Sequence, residues 1–208
     1  VADNLTDNAE SRALNWLTGN TTTAPTLPLK ARLMTVLGSD SAAGTEVVGG
    51  SYAAPSIAFG SSSSGAPATN SADVDATGMP NTGAAPVIGL EIWDSAGTPF
   101  RWWHGPLSGG SYSFVASTDI FTSASHGLSA GDRVAFASGQ APTGFTAGTS
   151  YYVIATNLAT NTFMLSATLG GSSVNGTVDL SGTYIRARET GSGDTLRLAA
   201  GTVSLALG

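Results

Sequence analysis

Residues 88–107 read IGLEIWDSAGTPFRWWHGPL. Ile88, Leu90 and Ile92 alternate with Gly89, Glu91 and Trp93, the period-two pattern of a strand with one buried face. Asp94-Ser95-Ala96-Gly97-Thr98-Pro99 breaks the pattern with residues that supply turn backbone angles, and aromatics resume at Phe100, Trp102 and Trp103. The stretch predicts a β-hairpin whose second strand opens at Pro99, because proline cannot donate to a ladder. Three of the chain's four tryptophans fall here. Trp93, Trp102 and Trp103 cannot all point inward with their neighbours, so at least one ring is expected on the opposite face, against a second sheet or another molecule.

Upstream of the hairpin, residues 3–18 carry the one helical pattern. Asp3, Asn4 or Thr6 can cap its start and Gly19-Asn20 can end it. Leu5, Ala9, Ala13, Trp16 and Leu17 form an apolar stripe opposite Asp7, Glu10 and Arg12, and the stripe must dock on the parent sheet or on a neighbouring subunit. After a Thr/Pro linker, Leu29 to Leu37 alternates as a strand, with Lys30 and Arg32 directed to solvent or a partner. Tyr52 to Phe59 reads as a short strand interrupted by Pro55. Gly60 to Pro86 is low-complexity Ser/Ala/Gly; a free loop of that length is unusual inside a domain, so either a short strand lies near Ala72 to Ala76 or the segment runs extended over a neighbour.

Downstream, Ser108-Gly109-Gly110-Ser111 reads as a junction. Strands are then expected at 119–125, 132–138, 150–157, 162–168 and 183–188, separated by glycine turns, the spacing of a small barrel or sandwich. The tail, 194–199 and 202–207, alternates again and is expected to pair with the first sheet. The fold class expected is mainly β: a β-sandwich, jelly-roll-like, with one N-terminal helix and an inserted small β-barrel domain. The sandwich takes residues 1–110 plus 189–208, and the barrel takes 111–188.

Eight basic and fourteen acidic residues give a net charge of −6, and Lys30 is the single lysine. No basic stripe exists to neutralise phosphates, so nucleic acid is not expected as a partner. Charged residues make up 11% of the chain, under half the usual ~25%, which points to surfaces covered in a larger assembly. Cysteine is absent, which removes disulfides and thiolate chemistry. No apolar run approaches ~18 residues and Val1-Ala2-Asp3-Asn4 begins no signal peptide, so membrane insertion is not expected and the expected place of synthesis is the cytoplasm.

The stretches LTDNAESRALNWLTGNTTTAPTLPLKARLMTVLGSDSAAGTEVVGGSYAAPSIAF (5–59), IGLEIWDSAGTPFRWWHGPLS (88–108) and GDTLRLAAGTVSLALG (193–208) resemble a virion domain of tailed bacteriophages, chiefly those of actinobacteria. Its members are labelled minor tail, tail-fibre or capsid decoration proteins. The family pattern is a helix, a strand leading to a T-E-V-x-G-G-x-Y turn, a G-x-x-I-W/F-D hairpin and a closing G-D-T-L pair. Family members often carry arginine after the tyrosine of that turn, where Ala53 and Ala54 stand here. Residues 119–171 are similar to a phage β module marked by H-G-L-x-x-G-D-x-V-x-F, Y-Y-V-I and T-F-x-L-S. The resemblance implies a structural protein of the virion, made in the host cytoplasm and assembling with itself, most often as a trimer, and with other tail or capsid proteins.

No catalytic constellation accompanies these motifs. His104 and His126 have no second histidine, cysteine or H-E-x-x-H beside them, so no metal or cofactor is expected, and His126 in its H-G-L turn is expected to bond backbone. Glu46, Glu91 and Glu189 belong to unrelated segments, which argues against a carboxylate pair for glycoside cleavage. The residues expected at subunit interfaces are Leu5, Ala9, Trp16, Leu17, Trp93, Trp102 and Trp103. A second reading is a host-receptor or glycan-binding module, in which exposed Trp102, Trp103 or Tyr151 stacks on sugar rings, with Phe145 and His126 as further displayed contacts.

Overall fold

The computed structural model describes residues 5–20, 23–63, 66–83 and 85–205. Asp3 and Asn4, as caps, and Ala206-Leu207, as the end of the last strand, lie outside them. In chain order the elements are α1 (Asp7–Leu17), β1 (Leu29–Val36), β2 (Thr45–Glu46), β3 (Ser56–Ile57), β4 (Ala68–Thr69), β5 (Val74–Ala76), β6 (Gly89–Trp93) and β7 (Arg101–Pro106). They continue as β8 (Gly109–Val115), β9 (Ile120–Thr122), β10 (Arg133–Ala135), β11 (Ser150–Ala159), β12 (Thr162–Ser166), β13 (Leu180–Ala187), β14 (Leu196–Leu198) and β15 (Ser204–Leu205). Two compact units result: Val1–Gly83 with Gly89–Gly105 and Thr190–Gly208, and Ala84–Ile88 with Pro106–Glu189.

In the first unit β1 is the central strand. It pairs antiparallel with β2, β3 and β6, and β7 follows β6. Ala31 and Leu33 of β1 face the core with Leu90, Ile92 and Ile57, all buried. Alternation puts Lys30, Arg32 and Met34 on the other face with Gly89, Glu91 and Trp93, which lie opposite them in register. The expected hairpin is present. Asp94 shapes its turn: the carboxylate accepts from the N–H of Phe100 (2.8 Å) and of Ala96 (3.3 Å) and from the Trp102 indole (3.4 Å). Burial raises the Asp94 pKa, but these bonds outweigh it and hold the group below the ordinary carboxylate value.

The low-complexity segment does contain a strand, β5 within the expected window, and the chain's tail is its partner. β14 pairs with β5 and β15 with β4, so the tail forms two small sheets of its own with this segment instead of joining the first sheet. Buried Asn70 ties the two together, donating to the carbonyls of Ala72 (2.8 Å) and Ala199 (2.9 Å) and accepting from Val203 N–H (2.9 Å). Long-range pairing decided this, which local alternation cannot encode.

The second unit holds a closed six-stranded barrel in the order β10-β11-β12-β9-β8-β13. Its interior is packed with rings from Tyr112, Phe114, Phe121, Phe136, Phe145, Tyr151, Phe163 and Tyr184, as expected of a small barrel filled by its inward side chains. Phe121 lies at the centre, stacked on Phe163 at 5.1 Å and within 4.7 Å of Phe114. The expected junction at Gly109-Gly110 is instead the start of β8, paired with Ile185 and Tyr184 of β13. Glycine is required there: a Cβ on Gly109 would collide with the Tyr184 carbonyl, and one on Gly110 would sit 2.9–3.0 Å from the Tyr184 ring.

Candidate functional site

The outer face of the β1–β6 sheet gathers the polar chemistry of the first unit. Glu91, one strand position from the apolar residues of β6, is 1% exposed. Its Oε1 accepts from Gly44 N–H (2.8 Å) and from the Arg101 guanidinium (3.0 Å), and its Oε2 accepts from the Trp93 indole (2.9 Å). Arg101, also buried, spends its other terminal donors on the carbonyls of Ser39 (2.6 Å), Asp40 (3.0 Å) and Ala42 (2.7 Å). A buried ion pair is tolerated only when its hydrogen bonds are completed, as they are here. The pair thereby fixes the 38–44 loop. Gly38 is needed because any Cβ would run into Glu91 and Arg101. From the same loop Asp40 meets the His104 Nε2 at 2.8 Å.

Around this buried centre lies a half-exposed rim. The Arg32 guanidinium stacks over the Trp93 ring at 4.3 Å and pairs with Glu46 at 3.4 Å. Tyr52 Oη donates to Glu46 (3.4 Å) and accepts from Leu33 N–H (3.0 Å). Burial pushes the Glu46 carboxyl above its ordinary pKa, against the pull of Arg32 and the Tyr52 hydroxyl, with Glu91 adding to the rise. Burial likewise pushes the Tyr52 phenol up to about 12. Lys30 Nζ donates to Ser56 Oγ at 3.1 Å. Glu46 and Glu91, from separate segments, are thus brought to the two sides of Arg32, but Glu91 is fully engaged by three donors and offers no free oxygen for proton transfer.

The second candidate surface is α1. Thr6 is its N-cap: the hydroxyl accepts from Ala9 N–H (3.2 Å) and donates to the Arg101 carbonyl (2.8 Å), so one side chain both starts the helix and ties it to β7. Leu5 bridges Trp103, and Arg12 stacks over Phe100 at 3.8 Å, reaching toward Trp102. The helix is held by its first half. Its last turn carries Leu14, Trp16 and Leu17 at 62%, 71% and 70% exposure.

The expected interface residues therefore separate into three groups. Trp16 and Leu17 are exposed. Ala9 and Trp103 are buried within the chain, Leu5 is half-buried on β7, and half-buried Trp102 packs edge-on to Phe100 at 4.8 Å. These four are used by the chain's own helix-to-sheet contact and do not form a free interface. Trp93 is half-buried at the rim described above. The displayed contacts expected on the barrel are corrected outright: Tyr151, Phe145 and His126 are 6%, 8% and 8% exposed. Tyr151 and Phe145 fill the interior, where Tyr151 Oη also accepts from Thr146 N–H (2.8 Å). His126 Nδ1 accepts from Leu128 N–H (2.9 Å), which leaves Nε2–H to donate to the Thr162 carbonyl (3.1 Å).

No protein-family model matches the chain, and no curated protein or solved structure is significantly similar to it. Among the described residues no group of three or more His, Asp or Glu side chains is placed to hold a metal ion, and no helix is long and apolar enough to cross a membrane. Leu14 was missed in the sequence because it lies off the apolar stripe. The Glu91–Arg101 pair was missed because its cover comes from the distant 38–44 loop.

Proposed function

We propose that the protein is a non-enzymatic structural component of a tailed-bacteriophage virion, on the tail or the head surface, assembling with copies of itself as a homotrimer and with other virion proteins. The observation that carries this reading is the last turn of α1. Three large apolar side chains, Leu14, Trp16 and Leu17, stand in solvent on a helix whose other end is capped and clamped by Thr6, Leu5 and Arg12. A helix fixed at one end and apolar at the other is suited to subunit adhesion. Burying the three is worth about 5 kcal/mol before the cost of association, so further charge-poor surface must join them. The resemblance to phage virion domains supports the setting. In this reading the first unit is the anchoring, jelly-roll-like sandwich and the barrel is an added module.

Sedimentation velocity of the purified protein at micromolar concentrations tests the self-association. The expected result is a trimer that dissociates when Trp16 and Leu17 are both replaced by serine. A monomer with no concentration dependence overturns it, and antibodies to the protein that label no virion in electron micrographs overturn the setting.

A further inference from the structure

The rim of the β1–β6 sheet holds a row of three side chains that the assembly reading does not use. Ser56 of β3 lies opposite Lys30 of β1, and Lys30 lies opposite Trp93 of β6. Three adjacent strands span about 10 Å, roughly the length of two joined pyranose rings. Ser56 is exposed and Lys30 and Trp93 are half-exposed. The indole is fixed before any ligand arrives, by the Arg32 guanidinium at 4.3 Å and by its N–H bond to Glu91 at 2.9 Å. Lys30, the chain's only lysine, uses one of its three N–H donors, on Ser56.

The charge balance narrows the ligand. Arg32 is paired with Glu46 and Arg101 with Glu91, so among the described residues Lys30 is the one cation of this face without a carboxylate partner. One ammonium is too little to hold a polyphosphate or nucleic acid. A flat, preorganised indole beside an ammonium and a hydroxyl suits a molecule with an apolar C–H ring face edged by hydroxyls. We infer that the Ser56–Lys30–Trp93 row is a saccharide-binding subsite of disaccharide length. This site is separate from the exposed turn of α1 and does not depend on the virion reading.

The test uses the full chain labelled with 5-fluorotryptophan, whose four indoles give separate fluorine resonances, that of Trp93 being assigned from Trp93→Phe. Cellobiose, chitobiose, maltose and lactose are titrated in turn. At least one is expected to move the Trp93 resonance saturably while that of Trp16 stays still. Lys30→Ala is expected to weaken that binding about tenfold through loss of a charge-assisted hydrogen bond, with a smaller loss for Ser56→Ala. Among the described residues both side chains bond only each other outside the backbone ladder, so these variants keep the fold even if replacing Trp93 by alanine does not. No shift at Trp93 with any of the four sugars, a shift centred on Trp16, or a shift unchanged in Lys30→Ala overturns the assignment.

Discussion

Replacing Glu91 by glutamine changes one atom in the most enclosed polar group of the first unit. The carboxylate accepts three hydrogen bonds, from Gly44 N–H, the Arg101 guanidinium and the Trp93 indole. Glutamine has a single acceptor oxygen. With that oxygen toward Gly44 and Arg101, its NH2 group faces the indole N–H, and a bond is exchanged for two opposed donors, at a cost of about 1–3 kcal/mol. The guanidinium, whose side chain is 8% exposed, also loses its counter-charge, and breaking a buried pair costs about 3–5 kcal/mol. The two costs overlap, and Arg101 keeps its three carbonyls, so the expected net loss is about 4 kcal/mol. All four tryptophans belong to the first unit, so urea unfolding followed by indole fluorescence reads this unit alone. The midpoint is expected to fall with the slope unchanged, and the Gly44 amide is expected to exchange faster with solvent. A loss under about 1 kcal/mol with Gly44 still protected refutes the view that the pair organises the 38–44 loop. The double replacement Glu91→Leu with Arg101→Met should recover much of the loss, because no unpaired charge then remains inside.

Phe121→Ala removes the ring at the centre of the barrel and is expected to cost about 3–5 kcal/mol; calorimetry should show the barrel transition move down while the tryptophan-detected transition stays, and equal movement of both would show the units unfold together. For Asp94 the folded pKa is depressed, so its contribution is present above the unfolded value of about 3.9 and is lost as pH falls through the folded one. Asp94→Asn should lower stability at neutral pH and flatten that acid limb of a stability-against-pH curve, and an unchanged limb would count against the three hydrogen bonds seen at the turn.

The hairpin was legible because its information is local: alternation, a turn cluster and a proline all lie within twenty consecutive residues. Thr6 was among the readable caps for the same reason, and Lys30 and Arg32 were readable as an outward pair from the alternation of β1. Glu91 was not, because what encloses it comes from Arg101 and from the turn at Gly44, and neither is signalled by its neighbours in sequence. Tyr151 was misplaced for a different reason. In Ser150-Tyr151-Tyr152-Val153 the two adjacent tyrosines must face opposite ways, and only closure of the barrel decides that Tyr151 is the inward one. Gly109-Gly110 looked like a flexible joint because glycine is common in joints. Here it marks the close approach of another backbone and a ring, which a single sequence presents identically.

Barrel closure also limits how these molecules can propagate. A sheet that ends in an open strand offers a ladder of unused N–H and C=O groups on which a further chain can be templated. In β10-β11-β12-β9-β8-β13 every strand has a neighbour on both sides, so the barrel has no terminal strand on which fibrous growth can begin. However many copies are crowded together, the strand stretches paired on both sides can touch their neighbours only through side chains. Such contacts are individually replaceable, so the outer residues of the barrel's strands can change from one variant to the next without altering the hydrogen-bonded frame beneath.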